Sequence, residues 1–133
     1  TYSLKGELLS CRKQFIKIQA KSQLIDSIPF CKDDEFIICK LKQQKVESKV
    51  GFTKAIKNYD FPKPNIQYKY IDNQLKLSTD KAAFQLYLHG VKGKFSDNFF
   101  TLLPGEEKII EIEASEFNPN NLLIWSLYEL NKN

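Results

Sequence analysis

Few side chains in this sequence could do chemistry, and their spacing decides which chemistry that would be. Glu111 and Glu113 stand two residues apart. On a strand they would share one face, roughly 6.6 Å apart. A retaining glycosidase holds two carboxyls ~5–5.5 Å apart across its sugar. Ile109 opens the same face, however, and Glu116 follows. No third group splits the two acids into a donor and a nucleophile, so a solvated outer face is expected. His89 is the only imidazole and sits beside Gly90, which favours a surface turn over a general base. Asp33-Asp34-Glu35 lacks the alternating ligands and central glycine of a calcium loop; it is expected to lead into a strand at Phe36. Cys11, Cys31 and Cys39 are an odd set without Cys-x-x-Cys spacing. That excludes a complete disulfide framework and, with one histidine, argues against zinc. Cys39, inside Phe36-Ile37-Ile38-Cys39, is expected to be a small core side chain. No catalytic residue, metal site or cofactor is expected in this chain.

The aromatics allow another chemistry. There are 10 Phe, 6 Tyr and 1 Trp. If exposed and coplanar, Trp125, Tyr68, Tyr70 and Tyr87 would offer flat faces to sugar rings, with Trp125 and Tyr87 the leading platform residues. Leu123, Trp125 and Leu127 alternate, however, and alternation favours a core face or a contact with a neighbouring module. Both readings stand at this point.

The elements that would position these groups have a period of two. Ile16, Ile18 and Ala20 alternate with polar residues, as do Val46–Phe52, Ile66–Tyr70, Leu75–Leu77, Phe84–Leu88 and Ile110–Ile112. Each run reads as a half-buried strand. Asp72-Asn73 suits a tight hairpin. Pro104-Gly105 suits a type II turn. Gly90 and Gly93 allow a bend at residues 89–93. Lys42-Gln43-Gln44-Lys45 reads as a hairpin loop and Asn118–Asn121 as another loop. The one helix candidate is a short turn near Thr53–Lys57. The pattern predicts an all-β sandwich.

Composition bounds the partners. The 133 residues fit about one domain. Apolar runs such as Leu122–Trp125 are far shorter than the ~20 residues of a membrane helix, so no membrane partner is expected. Net charge is +4, with 12 basic and 7 acidic residues in 1–60 against 8 and 9 in 61–133. Nineteen of the 20 basic residues are Lys and only Arg12 is Arg. Nucleic-acid readers lean on Arg, so no nucleic-acid partner is expected. The sequence has no Met and no leader-like start at Thr1, so it is expected to be part of a longer protein. Asp60-Phe61-Pro62-Lys63-Pro64 marks a boundary, since two close prolines hold a chain extended.

One stretch is more specific. Phe95-Ser96-Asp97-Asn98-Phe99-Phe100-Thr101-Leu102-Leu103-Pro104-Gly105-Glu106 resembles the C-terminal immunoglobulin-like module of β-mannosidases in glycoside hydrolase family 2. Leu86–Lys94 is similar to the strand and turn that precede it, and the Pro-x-Pro segment to the link between the last two modules. The resemblance implies residues 1–59 as a partial immunoglobulin-like sandwich, the later strands of the penultimate module. It implies residues 60–133 as a C-terminal immunoglobulin-like β-sandwich. It further implies a non-catalytic role in a retaining enzyme that removes terminal β-mannosyl residues. That enzyme's catalytic carboxylates belong to a barrel that lies outside these residues. The other modules of the same polypeptide are then the expected partners. A parent acting on polysaccharide would be exported or periplasmic. Within the motif, Phe99 and Leu103 are expected on one strand face, and Phe100 and Leu102 on the other. Asp97 and Asn98 should set the start of the strand by bonding nearby backbone. A carbohydrate-binding module taking mannose-containing oligosaccharide, or a protein-interaction module, are the alternatives.

Overall fold

The Asp72-Asn73 hairpin shows how local chemistry sets the register. Both residues take positive φ, 50° and 60°, the backbone of a type I′ turn that matches strand twist. The turn joins β4 (Ile66–Ile71) to β5 (Gln74–Thr79) and pairs Ile71 with Gln74. The computed structural model describes residues 1–17, 19–23, 25, 27, 31–40, 49–114 and 117–130. Among these, β1 is Tyr2–Ser3, β2 Glu35–Cys39 and β3 Lys49–Gly51, followed by β4 and β5. Next come β6 (Ala83–His89), β7 (Lys94–Phe95), β8 (Phe100–Leu102), β9 (Lys108–Glu113) and β10 (Leu123–Trp125). Every pairing is antiparallel. Three sheets result, in the orders β1-β2-β3, β10-β6-β8 and β4-β5-β9-β7.

The last two sheets form a sandwich. Leu75 and Leu77 of β5 and Ile110 and Ile112 of β9 meet Leu86 and Leu88 of β6 and Leu102 of β8. Alternation keeps Ile109, Glu111 and Glu113 on the solvent face of β9, as expected for the two acids. Pro104 and Gly105 (φ 78°) form the expected turn, closed by Glu106 N–H donating to Leu103 O at 3.1 Å.

A second apolar cluster joins the chain on either side of the Pro-x-Pro segment. Phe36 of β2, Tyr59 and Phe61 pack with Ala82, Phe84, Leu103 and Leu127. Phe84 is its centre, with ring centroids 4.7 Å from Phe36, 5.0 Å from Phe61 and 5.4 Å from Phe52. The proline segment is pinned rather than free. Phe61 and Pro64 are buried, and Asn65 N–H donates to Asp80 Oδ1 at 2.7 Å. Ala82 N–H donates to Lys5 O at 2.9 Å. Gly6 (φ 95°) is seated so close to the Pro104 ring and Ala82 that a Cβ would collide.

Several expectations are corrected. Residues 14–17, 19 and 20 form no strand, and Ile16 is exposed; Ile18 lies outside the described residues. An alternating run becomes a strand only where a neighbour completes its ladder. Cys39 is exposed, and Cys31 is the buried thiol. Of the readings left open for β10, packing of Leu123, Trp125 and Leu127 on one core face of a strand does not hold: Leu122 is buried and Ile124 packs on the sandwich core, while Leu123 and Trp125 point outward. Leu127 is not in the strand but opens a single helical turn, α1 (Leu127–Leu130). The cause is a capping box, Ser126-x-x-Glu129. Ser126 N–H and Oγ–H donate to Glu129 Oε2 at 2.7 and 2.6 Å, and Tyr128 N–H donates to Ser126 Oγ at 3.3 Å. The Lys42–Lys45 loop lies outside the described residues. The short turn expected near Thr53–Lys57 is a 3₁₀ turn at Ile56–Asn58.

Candidate functional site

The segment 95–106 spends its polar groups on the fold. Ser96 N–H donates to Glu111 O, and Glu111 N–H donates to Ser96 Oγ, each at 2.9 Å. The Asp97 carboxylate pairs with Lys108. Asn98 clasps the Leu88 peptide: Leu88 N–H donates to its Oδ1 at 2.8 Å and its Nδ2 donates to Leu88 O at 3.0 Å. The same Oδ1 accepts Phe99 N–H at 3.1 Å. Phe95 and Phe100 pack on the sandwich core. Leu102 enters that core and Leu103 enters the second cluster.

Phe99 does not share a face with Leu103. It takes φ 62°, a left-handed conformation that a bulky residue rarely adopts. This turns its ring outward to 65% exposure, whereas Leu103 is buried. The neighbouring strand β6 is also irregular. The β6–β8 register slips by one residue between Ala83 and Leu86, and Gln85 has φ 49°. The bulge changes which way β6 side chains point. Ala83, Leu86 and Leu88 face the sandwich core, and Phe84, Tyr87 and His89 face away from it.

The outer face of sheet β10-β6-β8 therefore carries a row of rings. Tyr87 stacks on Phe99 at 4.7 Å and on His89 at 5.1 Å. His89 meets Trp125 edge-on at 4.5 Å. Trp125 is paired across the strands with Tyr87 and is 45% exposed. His89 is not the surface-turn residue expected: it ends β6, is half-buried, and its Nε2 is buried without a hydrogen-bond partner. The structure thus brings Trp125, Tyr87 and Phe99 together. It places Tyr68 and Tyr70 elsewhere, on β4, where Tyr70 packs against Phe117 and Tyr68 donates to Pro119 O. Stacking turns the ring faces toward one another, so the row does not form one flat platform.

Beside Phe99 lies a cleft of 340 Å³ between the β2–β3 pair and the β6–β8 bulge. Ion pairs Lys40–Glu106 (2.7 Å) and Lys108–Asp97 line it. The buried Cys31 thiol has its pKa pushed up, chiefly by burial, which suits an inert core group. Among the described residues no group of three or more His, Cys, Asp or Glu could hold a metal ion, and no helix is long and apolar enough to cross a membrane.

Two antiparallel sheets packed face to face, with this strand order, define an immunoglobulin-like β-sandwich. Residues 61–130 match the family model of the mannosidase Ig-fold domain, and the chain belongs to that family. The chain is also similar to U4/U6.U5 tri-snRNP-associated protein 1 of Homo sapiens, Rattus norvegicus and Mus musculus. Each is 29% identical over 97 residues, which cover 73% of this chain. The match spans 12% of the length of these relatives.

Proposed function

We propose that this chain is a non-catalytic accessory region of a β-mannosidase-like retaining glycoside hydrolase, one that removes terminal β-mannosyl residues. The observation that carries this reading is the use made of residues 95–106 within the family's Ig-fold domain. Ser96, Asp97 and Asn98 are committed to the fold, and Glu111 and Glu113 lie on the solvent face. In this reading residues 1–59 supply later strands of a penultimate module, and residues 60–133 form the terminal one. Its partners are other modules of the same polypeptide, which would cover the rings of Tyr87, His89 and Trp125. The tri-snRNP relatives would suggest a ribonucleoprotein partner. Their match covers 12% of their length, and a Lys-rich, Arg-poor chain is poorly suited to reading nucleic acid.

The test is expression of the full reading frame that encodes the chain. The full product should hydrolyse an aryl β-D-mannoside with retention, and the 133-residue chain should not. Asn98→Ala in the full protein should shorten its thermal half-life and leave KM unchanged. A full-length product without glycosidase activity would overturn the parent assignment. Activity in the isolated chain would overturn the accessory role.

A further inference from the structure

The cleft between the β2–β3 pair and the β6–β8 bulge has a charge imbalance that the fold does not use. Three lysines and two acids line it: Lys40, Lys49, Lys108, Asp97 and Glu106. Lys40 pairs with Glu106 at 2.7 Å, and Lys108 pairs with Asp97. Lys49, exposed on β3, pairs with no acid among the described residues. Both carboxylates are thus taken, and one cation is left over. Three positive charges against two negative ones leave one positive charge in the lining. A monoanion neutralises it, whereas a dianion overshoots.

Much of the remaining lining is apolar. Ile38, Val50 and Phe52 come from the first part of the chain, and Phe84 and Phe99 from the sandwich. These walls are preformed. The rings of Phe52 and Phe84 lie 5.4 Å apart in the second cluster. Phe99 is fixed by its own N–H, which donates to Leu86 O at 2.8 Å and to Asn98 Oδ1 at 3.1 Å. A preformed site costs little ordering when a ligand enters. The volume of 340 Å³ lies at the small end of the range for small-molecule sites, ~300–1,000 Å³. A small inorganic anion satisfies the charge but leaves the walls in water. A neutral apolar molecule covers the walls but gives Lys49 no counter-charge. A molecule with both parts uses the whole site.

We propose that this cleft binds a small amphipathic acid, an apolar body ending in one carboxylate. Lys49 meets the carboxylate, and Ile38, Val50 and Phe52 cover the body. A free organic acid and the C-terminal residue of a peptide both present this chemistry. The site is separate from the bare rings of Tyr87 and Trp125, and it does not depend on what reaction the parent protein carries out.

The experiment titrates the 133-residue chain with 3-phenylpropionate at neutral pH and low ionic strength, followed by amide chemical shifts and calorimetry. The acid should bind with Kd on the order of 1 mM and shift the amides of Lys49, Val50 and Thr101. 3-Phenylpropanol, which keeps the body and loses the charge, should bind about fivefold more weakly, because an exposed charge contributes about that factor. Lys49→Gln should weaken binding of the acid by the same factor at an unchanged melting temperature, and should then bind acid and alcohol alike. Lys92→Gln, which removes a lysine outside the cleft, should change nothing. Acetate and inorganic phosphate should give no saturable shift. N-acetylglycyl-phenylalanine separates the two sources: tighter binding than 3-phenylpropionate assigns the ligand to a peptide terminus, weaker binding to a free acid, and either supports the site. No saturable shift with 3-phenylpropionate up to about 20 mM would overturn the proposal. So would equal affinity for acid and alcohol, an unchanged affinity in Lys49→Gln, or phosphate binding as tightly as the acid.

Discussion

Phe84 and Tyr87 stand on the same strand and the same outward face of β6, yet they live in different surroundings. Phe84 is buried under Phe36, Phe52 and Phe61. Tyr87, three residues on, meets only a row of half-exposed rings. The outer face of this sheet is thus covered at one end by the first part of the chain and bare at the other. The bulge at Gln85 divides the two ends, and the cleft opens at that division. The lesson is that an aromatic on a sheet's outer face stabilises the fold only where another element covers it. Elsewhere the same residue type is free for recognition.

Cutting the covered end should have the largest effect. Phe84→Ala is expected to cost about 3–5 kcal/mol, read as a lower urea midpoint with both parts of the chain unfolding together. If it costs no more than Tyr87→Ala, the covering contributes nothing and the comparison fails. Asn98→Ala should come next, at about 2–3 kcal/mol, since it strips partners from the buried Leu88 peptide. Tyr87→Ala and Trp125→Ala should each cost about 1 kcal/mol or less in this chain, the worth of an exposed ring stack. A larger loss for Trp125→Ala in the full-length protein would show that a neighbouring module covers the bare end there.

The smallest effect concerns Cys31. Its pKa is raised in the folded chain, so the folded state holds the thiol proton more tightly than the unfolded one. Its effect on stability is nil well below ~8.5 and turns unfavourable as pH rises through that value. Alkylation by iodoacetamide at pH 8 should therefore modify the exposed Cys11 and Cys39 first, with Cys31 reacting last, in proportion to the small population in which it is opened to solvent. Mass mapping of the alkylated cysteines checks this.

Much of the sandwich was legible because its signals are local. Asp72-Asn73 and Pro104-Gly105 specify turns by φ alone, and Leu75, Leu77, Ile110 and Ile112 alternate as half-buried strands must. Glu111 and Glu113 could be assigned to solvent for the same reason. The facing of β10 stays open in the sequence because Leu122 to Leu127 is apolar on both parities, so alternation does not choose a register. The signal that would have chosen it was present: Ser126-x-x-Glu129 is a helix start, which removes Leu127 from the strand. The run at Ile16 misled because a period of two describes a strand's faces but not its neighbour.

The candidate site was legible only in part. Phe99, Tyr87 and Trp125 could each be singled out by type, but they are far apart along the chain and only pairing of β10 with β6 brings Trp125 beside Tyr87. Nothing in the sequence marks Gln85 as left-handed, since a glycine would be the ordinary choice at such a bulge. The placement of His89 and of the cleft rests on contacts between strands that a pattern of residues does not encode. What the sequence by itself determined was the class of structure, through turn chemistry and alternation, both of which act over a few residues. What only the tertiary structure decided was which aromatics are covered and which are bare. That depends on how Phe36, Phe52 and Phe61 fold back over β6, a matter of long-range packing rather than local preference.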